Sequence, residues 1–161
     1  MISYPSRSIQ VGPIAAGKTS GPRYANKGMR RSSPTPRSSL GRLALRAVIG
    51  GLFIGHGTQK LFGWFEGPGL RETGEEFDSI GLRPGRPQAT TAGISETLGG
   101  ALIGAGLLTP VGSALITGVM TQAIRTVHAG KGPWFTDDGW EYNAVLIAAV
   151  FAITDLGPGA W

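Results

Sequence analysis

The chain has no cysteine among its 161 residues. That excludes disulfides, thiolate metal sites and a dithiol redox couple carried by the chain itself. Acidic residues are missing from one whole stretch, because residues 1–46 hold nine Lys or Arg and no Asp or Glu. Also missing are the HExxH pattern of a zinc hydrolase, a glycine-rich phosphate loop and a nucleophile elbow. The two histidines and the scattered acids match no ligand spacing, so no metal site is expected. Aromatic residues do not pattern with the basic ones as base-stacking platforms would, which argues against a nucleic-acid partner.

The charge is divided unevenly along the chain. Residues 1–46 carry +9 and residues 47–161 carry −4, which together give the net +5. Residues 1–40 are rich in Pro, Gly, Ser and Arg, too poor in apolar surface to offset the entropy of ordering, and read as a disordered tail. Its charge suits anionic lipid headgroups. No apolar run follows these charges, so no cleavable secretory signal is expected there. The Arg- and Ser-rich composition resembles a transit peptide, but the scattered prolines oppose the amphipathic helix such a peptide needs. Met29, followed by Arg30 and Arg31, is a second candidate start.

Residues 41–161 contain what the first segment lacks, four apolar stretches at about 43–65, 89–108, 111–129 and 140–156. Each is about 17–23 residues, the length of a helix crossing a hydrocarbon core of about 30 Å. The expected fold is therefore all-α, an integral membrane four-helix bundle behind a disordered basic tail. None of the four stretches has the continuous charged face of a water-exposed helix. Thr109-Pro110 breaks the second from the third and makes them a hairpin. The basic tail places both termini on the cytoplasmic side of the cell's inner (plasma) membrane. Loop 66–88 then lies outside, with Leu70, Phe77 and Ile80 near the spacing of a short amphipathic surface helix. Gly51 with Gly55, and Gly100 with Gly104, offer close helix approach.

The polar residues inside these stretches are the candidates for chemistry, because a charge at the bilayer centre costs roughly 3 kcal/mol or more. They are His56, Gln59 and Lys60 in the first, Glu96 in the second, and Gln122, Arg125 and His128 in the third; Glu141, Tyr142 and Asn143 open the fourth. With alternating direction, His56 falls about 13 Å below the outer end of its span, Glu96 about 10 Å, Gln122 about 10 Å and Arg125 about 6 Å. They share one outer-leaflet layer. Thr121, Arg125 and His128 form one helical stripe, and Glu96 is expected to pair with Arg125. Lys60 is expected to snorkel to the headgroups, and Trp64, Trp134, Trp140 and Tyr142 to form an interface belt.

Several stretches together resemble a known family: GLFIGHGTQKLFGWF, then ETLGGALIGAGLLTPVG, a third span ending at His128, then WEYN, and GPG near the C-terminus. In this order, over about residues 43–161, they resemble the DoxX family of four-helix membrane proteins. The family is named for the small subunit of an archaeal thiosulfate:quinone oxidoreductase, and other members are associated with quinone or oxidative-stress responses. The resemblance implies a membrane accessory subunit of a quinone-linked system, working with a redox partner protein or a second copy of itself. His56, Glu96, Gln122 and Arg125 are then candidates to hold a quinone headgroup, with His56 and Glu96 as a proton relay. Two other classes compete with this reading. One is a transporter or exporter of a small metabolite; the other is a non-catalytic assembly protein whose polar cluster fixes helix register.

Overall fold

The structure, a computed structural model, describes residues 37–157 together with Gly12. The tail read over residues 1–40 lies outside the described residues as far as residue 36, and so does the end of the chain after Gly157. Every regular element among the described residues is helical: α1 (Arg37–Phe62), α2 (Gly69–Ser79), α3 (Gly85–Ala105), α4 (Thr109–Ala123) and α5 (Glu141–Leu156), joined by short 3-10 turns. A π-helical turn, Ile124–His128, prolongs α4.

Glycines set the packing of α1 on α3. A Cβ added at Gly50 would stand 2.7 Å from the Gly104 Cα, and one at Gly57 would stand 2.6 Å from the Gly93 carbonyl oxygen. As the α1 number rises the α3 number falls, so the two helices run antiparallel with backbones in near contact, as small residues allow. The expected Gly51/Gly55 pair is not the one used: a Cβ at either position meets nothing within 4 Å. Gly50 and Gly57, a full heptad apart, take that place.

The α3–α4 hairpin closes as the Thr109-Pro110 signal indicates. Gly106 adopts φ +68° after the last turn of α3, and its N–H donates to Ile103 O while the Leu107 N–H donates to Leu102 O. A side-chain-free residue is favoured at this left-handed cap. Pro110 then opens α4, where its missing N–H costs nothing. Phe53, Ile103, Ile116, Val150 and Ile153 are fully buried where α1, α3, α4 and α5 meet near the cytoplasmic end of the expected topology.

The loop 66–88 is more ordered than a solvated segment. It forms α2, which buries Thr73 and Gly74 against the start of α3. Asp78 Oδ1 accepts a hydrogen bond from the Gly85 N–H at 2.8 Å, satisfying one donor at the α3 N-terminus from outside the helix.

No helix among the described residues is long and apolar enough to cross a membrane. The long ones carry charge inside their apolar runs, Arg46 and Lys60 in α1 and Glu96 in α3. The more apolar ones are short, 15 residues in α4 and 16 in α5. Sixteen residues rise about 24 Å, against a hydrocarbon core of about 30 Å. The expected stretches exist as helices, but not as spans that would each qualify alone.

Candidate functional site

Glu96 is the buried acid of the bundle, 2% exposed. Its partner is Lys60: Nζ donates to Glu96 Oε2 at 2.7 Å. This corrects the expected Glu96–Arg125 pair, and it corrects Lys60 as a residue that snorkels away. The cause lies in the glycine register. Gly57 packs on Gly93 and Thr97, which puts Glu96 at its level of α3, and Lys60, three residues on, reaches back along α1 with its four-carbon stem. Close backbones bring the two side chains into one layer. The pair is asymmetric, with the Lys60 side chain 23% exposed and that of Glu96 3%.

Lys60 also lines a crevice of about 400 Å³. One wall is the α3 face of Gln88, Thr91, Ala92 and Ser95. The other is α4 and its π turn, with Leu115, Gly118, Val119, Gln122 and Thr126. Phe77, Ile80 and Leu82, from α2 and the link after it, close one end. The lining is mainly apolar, with a few hydroxyls and amides and one ammonium. Such a cleft suits a ring-bearing, largely apolar ligand, and its volume is in the range of roughly 300–1,000 Å³ that small-molecule sites occupy.

Of the four candidate residues, the crevice holds Gln122 directly and Glu96 through Lys60. His56 and Arg125 are exposed and do not line it. His56 precedes Gly57, so with Gly57 pressed on α3 the imidazole lies off that interface. Arg125 shares the exposed face of Thr121, four residues before it. The expected stripe divides within the π turn. Thr121 and Arg125 are exposed, while His128 Nδ1 donates to the Asp138 carbonyl oxygen at 2.6 Å and ties the turn to the loop before α5. Glu141 is likewise engaged in that loop, its Oε1 accepting from the Phe135 N–H at 2.7 Å. Asn143 is buried, with Nδ2 set 3.4 Å from Met120 Sδ.

Arg46, counted by charge alone with the tail, is 2% exposed. Its Nε donates to Ile103 O at 3.1 Å and its Nη2 to Gly104 O at 2.9 Å. Arg42 Nη1 donates to Leu156 O at 2.9 Å. Both guanidinium groups thus serve the bare carbonyls at helix C-termini, where cations are favoured. The one sequence signal for this was an arginine inside an apolar run. Asn143 was flagged as a polar residue opening the fourth stretch, whereas Met120 and the serine and threonines of the crevice wall had no signal at all.

The DoxX family model matches residues 41–129. The chain belongs to the DoxX family. No curated protein and no solved structure matches it. The matched stretch contains both members of the Lys60–Glu96 pair, the glycines that bring them together, and all residues of the crevice wall. In this DoxX chain α5 lies outside the match, and it contributes no residue to the crevice lining.

Proposed function

We propose that this DoxX protein is a membrane-embedded accessory subunit of a quinone-linked redox system, whose crevice between α3 and α4 receives a quinone headgroup. The observation that carries the proposal is the crevice: ring-sized, mainly apolar, and provided with donors from Lys60, Ser95 and Gln122. A quinone is a flat apolar ring with two carbonyl acceptors, and this lining matches both properties. The chain has no thiol redox couple of its own, so the electrons come from a bound cofactor or a partner protein.

Membrane placement rests on the bundle as a whole. Its interior holds Arg46 and Glu96, while Val48, Leu52, Ile94, Leu98, Val111, Val145 and Phe151 lie exposed on four helices. In water so large an apolar perimeter would be a liability. In lipid it is the required surface, and glycine-mediated helix contact is the packing found there. Short helices such as α5 are accommodated by local thinning of the bilayer. Both termini face the cytoplasm of a cell whose inner membrane holds the bundle, and Trp64, Phe65, Trp134 and Trp140, all exposed, mark the outer interface.

Buried Phe53, Ile103, Ile116 and Val150 close the half of the bundle opposite the crevice mouth with apolar side chains, which favours binding over transport. The test uses Gly118, which lines the crevice and where an added Cβ meets nothing within 4 Å. Gly118→Leu fills the crevice without disturbing helix contacts. Titration of a short-chain quinone into protein in nanodiscs, followed by tryptophan quenching, is expected to saturate for wild type and to lose saturation for Gly118→Leu. Equal binding by both would remove the crevice from the proposal.

A further inference from the structure

We propose that Lys60 sets which redox state of the ligand the crevice prefers, and that Glu96 is the positioning residue that holds its ammonium in place. This rests on the crevice as a quinone site and goes beyond it by naming a residue that discriminates quinone from quinol.

Three observations carry the proposal. Among the described residues, Lys60 is the only formally charged side chain lining the crevice, and Glu96 does not line it. Lys60 Nζ nonetheless stays 2.7 Å from Glu96 Oε2, whose side chain is 3% exposed. One proton of the ammonium is therefore committed to Glu96, and the others are available to whatever occupies the crevice. An ammonium has three donors and no acceptor, so it complements an oxygen that only accepts. The carbonyl of an oxidised quinone is such an oxygen. The hydroxyl of a quinol has a proton to donate and is a poorer acceptor, and Lys60 offers it nothing to donate to. Of the remaining polar groups, Gln88, Ser95 and Gln122 both donate and accept, so they serve either redox state, while the Thr91 and Thr126 hydroxyls donate to Pro87 O and Gln122 O and keep only acceptor capacity.

Lys60 is thus the lining group whose chemistry favours the quinone over the quinol. Glu96 acts through it: the ion pair fixes the position of a flexible four-carbon stem that would otherwise sample several rotamers. A ligand leaving as quinol would be released more readily than one arriving as quinone, a useful direction for a site that supplies an electron acceptor.

The experiment compares decylubiquinone with decylubiquinol, kept reduced by excess dithionite under argon, on full-length protein in nanodiscs. Wild type is expected to bind the quinone about tenfold more tightly than the quinol, the equivalent of one charge-assisted hydrogen bond. Lys60→Arg is expected to retain the preference, and Lys60→Met to bind both forms equally. Because Lys60→Met leaves Glu96 unpaired, the doubly neutral Lys60→Met/Glu96→Gln protein is measured beside it and is expected to show the same lost preference. Glu96→Gln alone is expected to keep quinone binding with a preference reduced several-fold. A preference that survives in both Lys60→Met proteins, or that is absent from wild type while both forms bind, would overturn the role of Lys60 and leave the crevice as the site. Failure of wild type to bind either form would overturn the quinone site, and this inference with it.

Discussion

Replacing Lys60 by Met removes the cation facing Glu96 while keeping an unbranched side chain of similar length. The size of the effect depends on the asymmetry of burial. The Glu96 side chain is 3% exposed and that of Lys60 23%, so the carboxylate loses its ion-pair partner in a place it cannot leave. Breaking a buried pair from one side costs about 3–5 kcal/mol. The opposite substitution, Glu96→Gln, leaves an amide oxygen that still accepts from Lys60, and a cation with a route to solvent; a loss of about 1–2 kcal/mol is expected. For a chain of this size each kcal/mol moves the melting midpoint by about 2–4 °C, so Lys60→Met is expected to melt about 10 °C below wild type and Glu96→Gln about 4 °C below. The double Lys60→Met/Glu96→Gln protein removes the stranded charge and is expected to melt above Lys60→Met alone. Thermal melts in one detergent, followed by circular dichroism at 222 nm, measure all four proteins. Lys60→Met within about 2 °C of wild type, or Glu96→Gln as the worse of the two, would show that burial does not set the balance of this pair.

Two further predictions concern the frame around this pair. Arg46→Ala strips two α3 carbonyls of their buried cation and is expected to cost about 3 kcal/mol, whereas the exposed Arg42 bond is worth under about 1 kcal/mol; amide exchange around residues 103–107 should rise for the first and stay unchanged for the second. Gly57→Ala is expected to lower the melting midpoint by forcing α1 off α3, while Gly51→Ala, with open space at its Cβ, is expected to raise stability by up to about 1 kcal/mol through helix propensity. The same melts check both.

The helices themselves were legible because long apolar stretches punctuated by Gly and Pro are strong signals. The Thr109-Pro110 break falls where α4 begins, and Gly106 supplies the cap before it. The gathering of Glu96 and Gln122 near one depth followed from chain direction alone. What sequence spacing misjudged was azimuth. Gly51/Gly55 and Gly50/Gly57 are both plausible small-residue faces; the structure uses the second, which turns Lys60 nearer to α3 than the first would. The π turn is a similar case. It has no local composition signal, yet it brings His128 to Asp138. Arg46 was hidden in a charge count, because a sum over a segment does not say which charge sits beside bare carbonyls.

Whether the crevice between α3 and α4 holds a quinone ring is decided most directly by photo-crosslinking. An azidoquinone is irradiated with the protein in nanodiscs, and the labelled peptides are identified by mass spectrometry. Labels are expected on residues 88–95 and 115–127, competed away by unmodified quinone and absent from Gly118→Leu. Labels confined to the exposed faces of α1 and α5, or label in the crevice that unmodified quinone does not displace, would place the quinone elsewhere and empty the crevice of its proposed role.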